Sequence, residues 1–131
     1  MKRLLVVDDD DEILSLFKEF FEDMGYEVQV ADDGLLALAI FHQMKIDLII
    51  TDLDMPHLNG CELIAEIARE DQTIPIIVTS GLNLSINPKY REALLFPQVR
   101  DLFPKPINMG NLLRSVKIYT QDKKSFKLIQ Y

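Results

Sequence analysis

Short β-branched apolar runs alternate along this chain with longer stretches in which apolar residues recur every three or four positions. Leu4-Leu5-Val6-Val7 is such a run, stopped by Asp8 and Asp9, and has the pattern of a strand buried on both faces. Ile13, Leu16, Phe17, Phe20, Phe21 and Met24 then share one face of a helix, which Gly25 closes where the chain turns left-handed. Val28 and Val30 mark a second strand, and Asp32-Asp33-Gly34 a turn and helix start before Leu35, Leu38, Ile40, Phe41 and Met44. Ile46 and Leu48-Ile49-Ile50 form a third strand ending on Thr51-Asp52. The loop from Leu53 to Gly60 leads into a helix bearing Leu63, Ile64 and Ile67. Pro75-Ile76-Ile77-Val78 is a fourth strand ending on Thr79-Ser80-Gly81. Leu102-Phe103 reads as a short fifth strand, and Leu112, Leu113 and Val116 mark a last helix. Between Asn83 and Phe96 the helical pattern is marginal and is interrupted by Pro88.

Five strand–helix units in series predict an α/β fold: a flavodoxin-like (βα)5 three-layer sandwich whose parallel five-stranded sheet has the order 2-1-3-4-5. A length of 131 residues fits one domain, assigned to 1–121, followed by an extension over 122–131. That extension ends in Ser125-Phe126-Lys127-Leu128-Ile129-Gln130-Tyr131 and is expected to pack on its own domain or on a neighbouring chain, which would give a weak homodimer.

Hydrophobic residues at 48% and charged residues at 27% give the balance of a globular protein large enough to need no staple. The single cysteine, Cys61, has no partner for an internal disulfide, so a reduced, cytoplasmic setting is expected. The apolar run after the two leading basic residues is too short for a signal-peptide core or a membrane span. The formal charge of −7 is unevenly spread: residues 1–71 carry 18 acidic and 5 basic side chains, residues 72–131 only 3 acidic and 9 basic. Nucleic-acid binding is not expected of a chain with this net charge and no room for a second domain. The basic half suits an acidic partner surface.

The residues with chemistry to offer lie at the carboxyl ends of the predicted strands, the edge where open α/β sheets bind ligands. Asp8 and Asp9 close the first strand, Asp52 the third, Thr79 the fourth, and Lys105 follows the fifth. Strands one and three are neighbours in the order 2-1-3-4-5, so three carboxylates converge there. Such a cluster is costly unless a cation neutralises it, and hard oxygen donors without histidine or cysteine suit magnesium. Asp10, Asp11 and Glu12 are assigned to the acidic first turn of the helix instead. A carboxylate such as Asp52 can attack a phosphoryl group, with Lys105 and the Thr79 hydroxyl neutralising its oxygens.

Val6-Val7-Asp8-Asp9, Asp52-Leu53-Asp54-Met55-Pro56 with Gly60, Thr79-Ser80 and Lys105-Pro106 together resemble the signature of the receiver domains of two-component response regulators, the single-domain chemotaxis regulators among them. The resemblance runs from about Lys2 to the last helix. It implies that Asp52 is the phosphoacceptor of a signalling phosphorelay rather than part of an enzyme, charged by a histidine kinase or histidine phosphotransferase. Asp8, Asp9, Asp52 and the Asp54 backbone carbonyl would hold Mg2+, with Mn2+ as a substitute. Thr79 and Lys105 would bind the phosphoryl group, the Lys105-Pro106 bond would be cis, Gly60 would allow a tight turn, and Asp54 and Gly81 would be tuning positions. A downstream protein would be met on the face of the fourth helix, fifth strand and fifth helix, where Lys89, Arg91, Arg100, Arg114 and Lys117 are basic.

Three features depart from the family pattern. The aromatic usual three residues before the lysine is replaced by Leu102, a candidate switch position, with Phe103 one place later and expected to face the other way. A Gly-Ala pair before the last strand is missing, and the interval from Thr79 to Lys105 is longer than usual. Asp52-Leu53-Asp54 also resembles the Asp-x-Asp motif of haloacid-dehalogenase-like phosphatases. There, however, the motif follows the first strand and needs further acids, and after Thr79 only Glu92, Asp101 and Asp122 remain. His42 and His57 are assigned to the surface or to contacts supporting the site rather than to catalysis, and Cys61 to a small buried position or a helix start.

Overall fold

β1 (Arg3–Val7) lies between β2 (Glu27–Ala31) and β3 (Leu48–Asp52) in a computed structural model that describes residues 1–55, 57–81 and 88–121, apart from the Lys89 side chain. β4 (Ile76–Ser80) and β5 (Val99–Pro104) complete a parallel sheet of order β2-β1-β3-β4-β5, as expected. The connecting helices are α1 (Asp11–Asp23), α2 (Gly34–Gln43), α3 (Gly60–Glu70), α4 (Pro88–Ala93) and α5 (Met109–Thr120). Pro88 opens α4, a place where its missing N–H costs nothing. The extension 122–131, with the packing and dimer contact expected of it, lies outside the described residues, as do Pro56 and residues 82–87.

The period of two along the strands divides the core. Leu5, Val7, Ile49, Ile76 and Val78 join Ala37, Ile64 and Ile67 on the side of α2 and α3. Leu4, Val6, Leu48, Ile50 and Ile77 join Phe17, Phe21, Leu112 and Val116 on the side of α1 and α5. Each strand of the continuous apolar runs therefore feeds both layers, which is why those runs do not alternate.

Two helix faces sit differently from the sequence expectation. In α1 the buried residues are Leu14, Phe17 and Phe21, while Leu16 is 52% exposed and Met24 is also exposed. Each residue turns the helix by about 100°, so Leu16 points well away from its neighbour Phe17, and Met24 lies past the helix end; a face chosen by spacing alone is too wide. In α2, Leu35 is 56% exposed; the buried residues are Gly34, which meets the loop at Leu58, and Ala37, which packs in the α2–α3 layer. Gly25, at φ +93°, ends α1 as anticipated.

β5 is longer than the two residues anticipated, and it enters the sheet through an irregularity. Ile76 pairs with Val99 but Ile77 with Asp101, so Arg100 is an extra residue. From there on Val78 pairs with Leu102 and Thr79 with Phe103. Phe103 packs with the α1–α5 layer, while Leu102, paired with Val78, is 36% exposed; the two face opposite ways, as expected. Gln98, buried just before β5, donates from Nε2 to the carbonyls of Asp71 and Ile74, both at 3.0 Å, and ties β5 to the loop entering β4.

Candidate functional site

The carboxyl edge of the sheet collects the acids named from sequence. Carboxylate oxygens of Asp8, Asp9 and Asp52 all lie within 4.8 Å of one another. Asp8 and Asp52 are only 2% and 5% exposed, whereas Asp9 and Asp54 face solvent. The strand register brings this about, since Val7 at the end of β1 pairs with Thr51, one residue before Asp52. On the other side Asp52 pairs with the buried Thr79.

Each buried carboxylate has one oxygen fixed by backbone and one by Lys105. Asp8 Oδ1 accepts from the Asp10 N–H at 2.9 Å, and Asp52 Oδ1 accepts from the Leu53 N–H at 2.8 Å. Lys105 Nζ donates to Asp8 Oδ2 at 2.9 Å and to Asp52 Oδ2 at 3.2 Å. Asp10 in turn caps α1 by accepting from the Glu12 N–H, which gives this acid the helix-end role assigned to it.

Burial is the largest influence on Asp52 and raises its carboxyl above the ordinary aspartate range; Lys105 opposes this and Asp8 adds to it. Lys105 is pulled down by burial, but the hydrogen bond to Asp8 and the charges of Asp52 and Asp8 outweigh that, so its ammonium is held above the ordinary lysine range. The site therefore holds two buried carboxylates around one fixed cation.

The three carboxylates suit a small hard cation: they offer oxygen donors only, they are close enough to share one ion, and a single ammonium leaves them under-neutralised. No side chain among the described residues adds a histidine or thiol to the group.

The surrounding shell falls where it was expected. The Lys105 N–H donates to the Ser80 carbonyl at 2.9 Å and holds the end of β5 to β4, and the Lys105-Pro106 bond is cis. Gly81 lies over the Lys105 stem, whose nearest carbons would be 3.9–4.0 Å from a β-carbon placed there. Cys61 stands in the first turn of α3, which is closed by a capping box between Asn59 and Glu62. His42 reaches Glu70 on the surface at 2.6 Å.

Gly60 has a different task from the turn foreseen for it. A β-carbon on Gly60 would stand 2.1 Å from the Asp52 carbonyl oxygen, so the residue is needed for clearance. Gly34 starts α2 as its place in Asp32-Asp33-Gly34 suggests, and it is also needed for clearance, since a β-carbon there would meet the Leu58 carbonyl oxygen at 2.0 Å. The loop after Asp52 thus rests on the start of α2 as well as on α3. His57, at φ +64°, belongs to the same loop and approaches Asp33, the α2 cap, at 3.9 Å. No local pattern could have signalled the contacts of Gly34 with Leu58 and of His57 with Asp33, which join segments over twenty residues apart.

Comparison with known proteins agrees with this geometry. The family model described as "Response regulator receiver domain" matches residues 4–117. The transcriptional regulatory protein CpxR of Klebsiella pneumoniae is 34% identical over 117 residues, covering 89% of this chain and 48% of that protein. The CAI-1 autoinducer sensor kinase/phosphatase CqsS of Vibrio cholerae is 35% identical over 118 residues, covering 88% of this chain and 17% of that protein. The chain thus spans about half or less of the length of these relatives. Among solved structures, response regulator TrrA of Thermotoga maritima, in complex with Mg2+-BeF, superposes with a TM-score of 0.79 at 34% identity, covering 91% of this chain and 99% of that one. A CheY-like receiver domain from Methanospirillum hungatei reaches a TM-score of 0.84 at 28% identity, covering 92% and 94%.

Proposed function

Because this chain belongs to the response regulator receiver domain family, whose role in two-component signalling is that of a phosphoacceptor, we propose that Asp52 is the residue that takes the phosphoryl group. The family leaves the haloacid-dehalogenase-like reading without support. The observation that carries the assignment is the Lys105 ammonium set between Asp8 and Asp52, at the edge where Asp9 and Thr79 also converge.

In the transfer, an Asp52 carboxylate oxygen forms a bond to phosphorus as the bond from phosphorus to the donor histidine nitrogen breaks. Asp52 Oδ1 keeps its backbone hydrogen bond, so Oδ2 is the oxygen free to attack once Lys105 moves from it to a phosphoryl oxygen. The Thr79 hydroxyl donates to another of those oxygens. Asp8, Asp9, Asp52 and the Asp54 carbonyl would hold Mg2+, with Mn2+ as a substitute, and Asp54 and Gly81 would tune the lifetime of the product. When bound, the cation neutralises phosphoryl oxygens that one lysine cannot. That the Thermotoga relative was solved in complex with Mg2+-BeF supports magnesium as the cation.

The donor is a histidine kinase or histidine phosphotransferase, and the setting is cytoplasmic; no helix among the described residues is long and apolar enough to cross a membrane. The downstream partner is a protein that meets α4, β5 and α5, where Arg91, Arg100, Arg114 and Lys117 are outward-facing cations beside the exposed Leu95 and Ile118. A weak homodimer through residues 122–131 is part of the same proposal, and light scattering after their removal tests it.

Incubation with acetyl phosphate and magnesium, read by intact mass, tests the acceptor assignment. One added phosphoryl group that is lost in Asp52→Asn is expected. Uptake that survives Asp52→Asn would overturn the assignment.

A further inference from the structure

A change of charge at Asp52 has to be felt by a neighbour if it is to alter the surface, and the first turn of α4 provides one. β4 ends at the carboxyl edge and β5 begins at the opposite edge, so the start of α4 lies nearest the edge that holds Asp52. Ala93, in the last turn of α4, is buried in the α2–α3 layer. Tyr90, three residues earlier and so on the same helix face, packs against that layer, whose members include Leu53 and Met55 on either side of Asp54.

The Tyr90 phenol responds to the site electrically as well. Its proton is held above the ordinary tyrosine range by burial first, then by the negative charges of Asp54, Cys61 and Asp52. Leu102 offers nothing comparable, being aliphatic, half-exposed and on an edge strand, and Phe103 packs on the other side of the sheet.

We propose that Tyr90 is the coupling residue through which the loop bearing Asp52 and Asp54 acts on α4, its phenol hydroxyl answering the charge carried at Asp52. Phosphorylation replaces one carboxylate charge by a group carrying about −1.5 to −2. The phenol, a hydrogen-bond donor on a side chain packed against the layer that includes Leu53 and Met55, is drawn further toward the loop. α4 has only six residues, so a shift at its first turn moves the whole element. The basic face beyond it then changes shape without any aromatic at position 102.

The inference rests on Asp52 as acceptor, and one experiment separates the two. Fluorotyrosine incorporation labels all four tyrosines, and loss of a line in Tyr90→Phe identifies Tyr90 by fluorine NMR. On adding magnesium and beryllofluoride, the Tyr90 line should move beyond its width, the Tyr26 and Tyr119 lines should stay, and Asp52→Asn should abolish the movement. Tyr90→Phe should still take up one phosphoryl group from acetyl phosphate, while the amide shift changes over α4 fall about fivefold, the lower range of coupling between sites. A Tyr90 line that stays put while amides around Asp52 move overturns the inference, as does a full α4 response in Tyr90→Phe. Failure of the unsubstituted chain to take up phosphoryl would instead remove the acceptor assignment, and this inference with it.

Discussion

Gly60 lies against Asp52 so closely that a β-carbon on it would stand 2.1 Å from the Asp52 carbonyl oxygen and 2.7 Å from the Leu53 α-carbon. The hydrogen bond from the Gly60 N–H to the Leu53 carbonyl, at 3.0 Å, locks that approach. Both obstacles are backbone, which cannot swing aside as a side chain can. Gly60→Ala should therefore cost about 2 kcal/mol or more, in the range of core overpacking. It should also slow phosphoryl uptake, because the loop bearing Asp54 must shift. Urea unfolding and intact mass after acetyl phosphate check the two effects.

Asp52 should cost the resting fold stability. Its carboxyl is raised above the ordinary range, first by burial, so the folded state binds the proton more tightly than the unfolded chain does. The cost appears as pH climbs past the unfolded value of 3.8 and is complete above the folded one. Without magnesium, Asp52→Asn, which keeps the Oδ1 acceptor for Leu53, should raise stability near neutral pH by roughly 1 kcal/mol. The gain should vanish below about pH 3, where both states of the aspartate are protonated. Thermal unfolding across that range measures it.

Lys105 already occupies Oδ2 of both Asp8 and Asp52, so a divalent cation held as proposed would have to compete with it for those carboxylates. Lys105→Met should therefore destabilise the metal-free protein at neutral pH by roughly 2 kcal/mol, since two buried carboxylates lose their counter-charge. The same variant should bind Mg2+ about tenfold more tightly, one charge being worth on the order of 1.4 kcal/mol at such a site. Calorimetric titration with Mg2+ would contradict this if the affinity fell.

Gln98 offers a control far from the chemistry. Its amide is the donor to the Asp71 and Ile74 carbonyls, inside a buried pocket of the β5 entrance. Gln98→Ala should cost about 2 kcal/mol, the penalty for stranding buried acceptors and opening a cavity. Phosphoryl uptake per folded molecule should be unchanged.

The strand ends were legible because chemistry and punctuation coincide there. An apolar run that stops on Asp8, Asp52 or Thr79 states both the strand and its useful edge. Lys105 was legible for the same reason, with Pro106 behind it. What stayed hidden depends on packing between distant segments. Leu16 and Leu35 carry the right spacing for a buried face yet lie outward, because only the sheet decides which part of a helix stripe it covers. Arg100 could not be recognised as an extra residue until its partner strand was in place. Gly34 looks like an ordinary helix start, and only the Leu58 carbonyl above it shows why a side chain is barred. Tyr90 falls in a stretch of weak periodicity, and its packing on the layer that includes Leu53 and Met55 is a property of the assembled fold.

Ile49 and Ile50 are consecutive in β3 and both fully covered, yet they belong to different layers. The sheet is thus a partition, and the described buried residues fall into two separate half-cores. Losses of stability from truncations on opposite sides, such as Ile64→Val with Val116→Ala, should simply add, whereas two truncations within one layer should not. In evolutionary terms each half is free to repack under its own mutations, so the helices on one side can diverge toward a new partner while those on the other keep the acceptor edge in place.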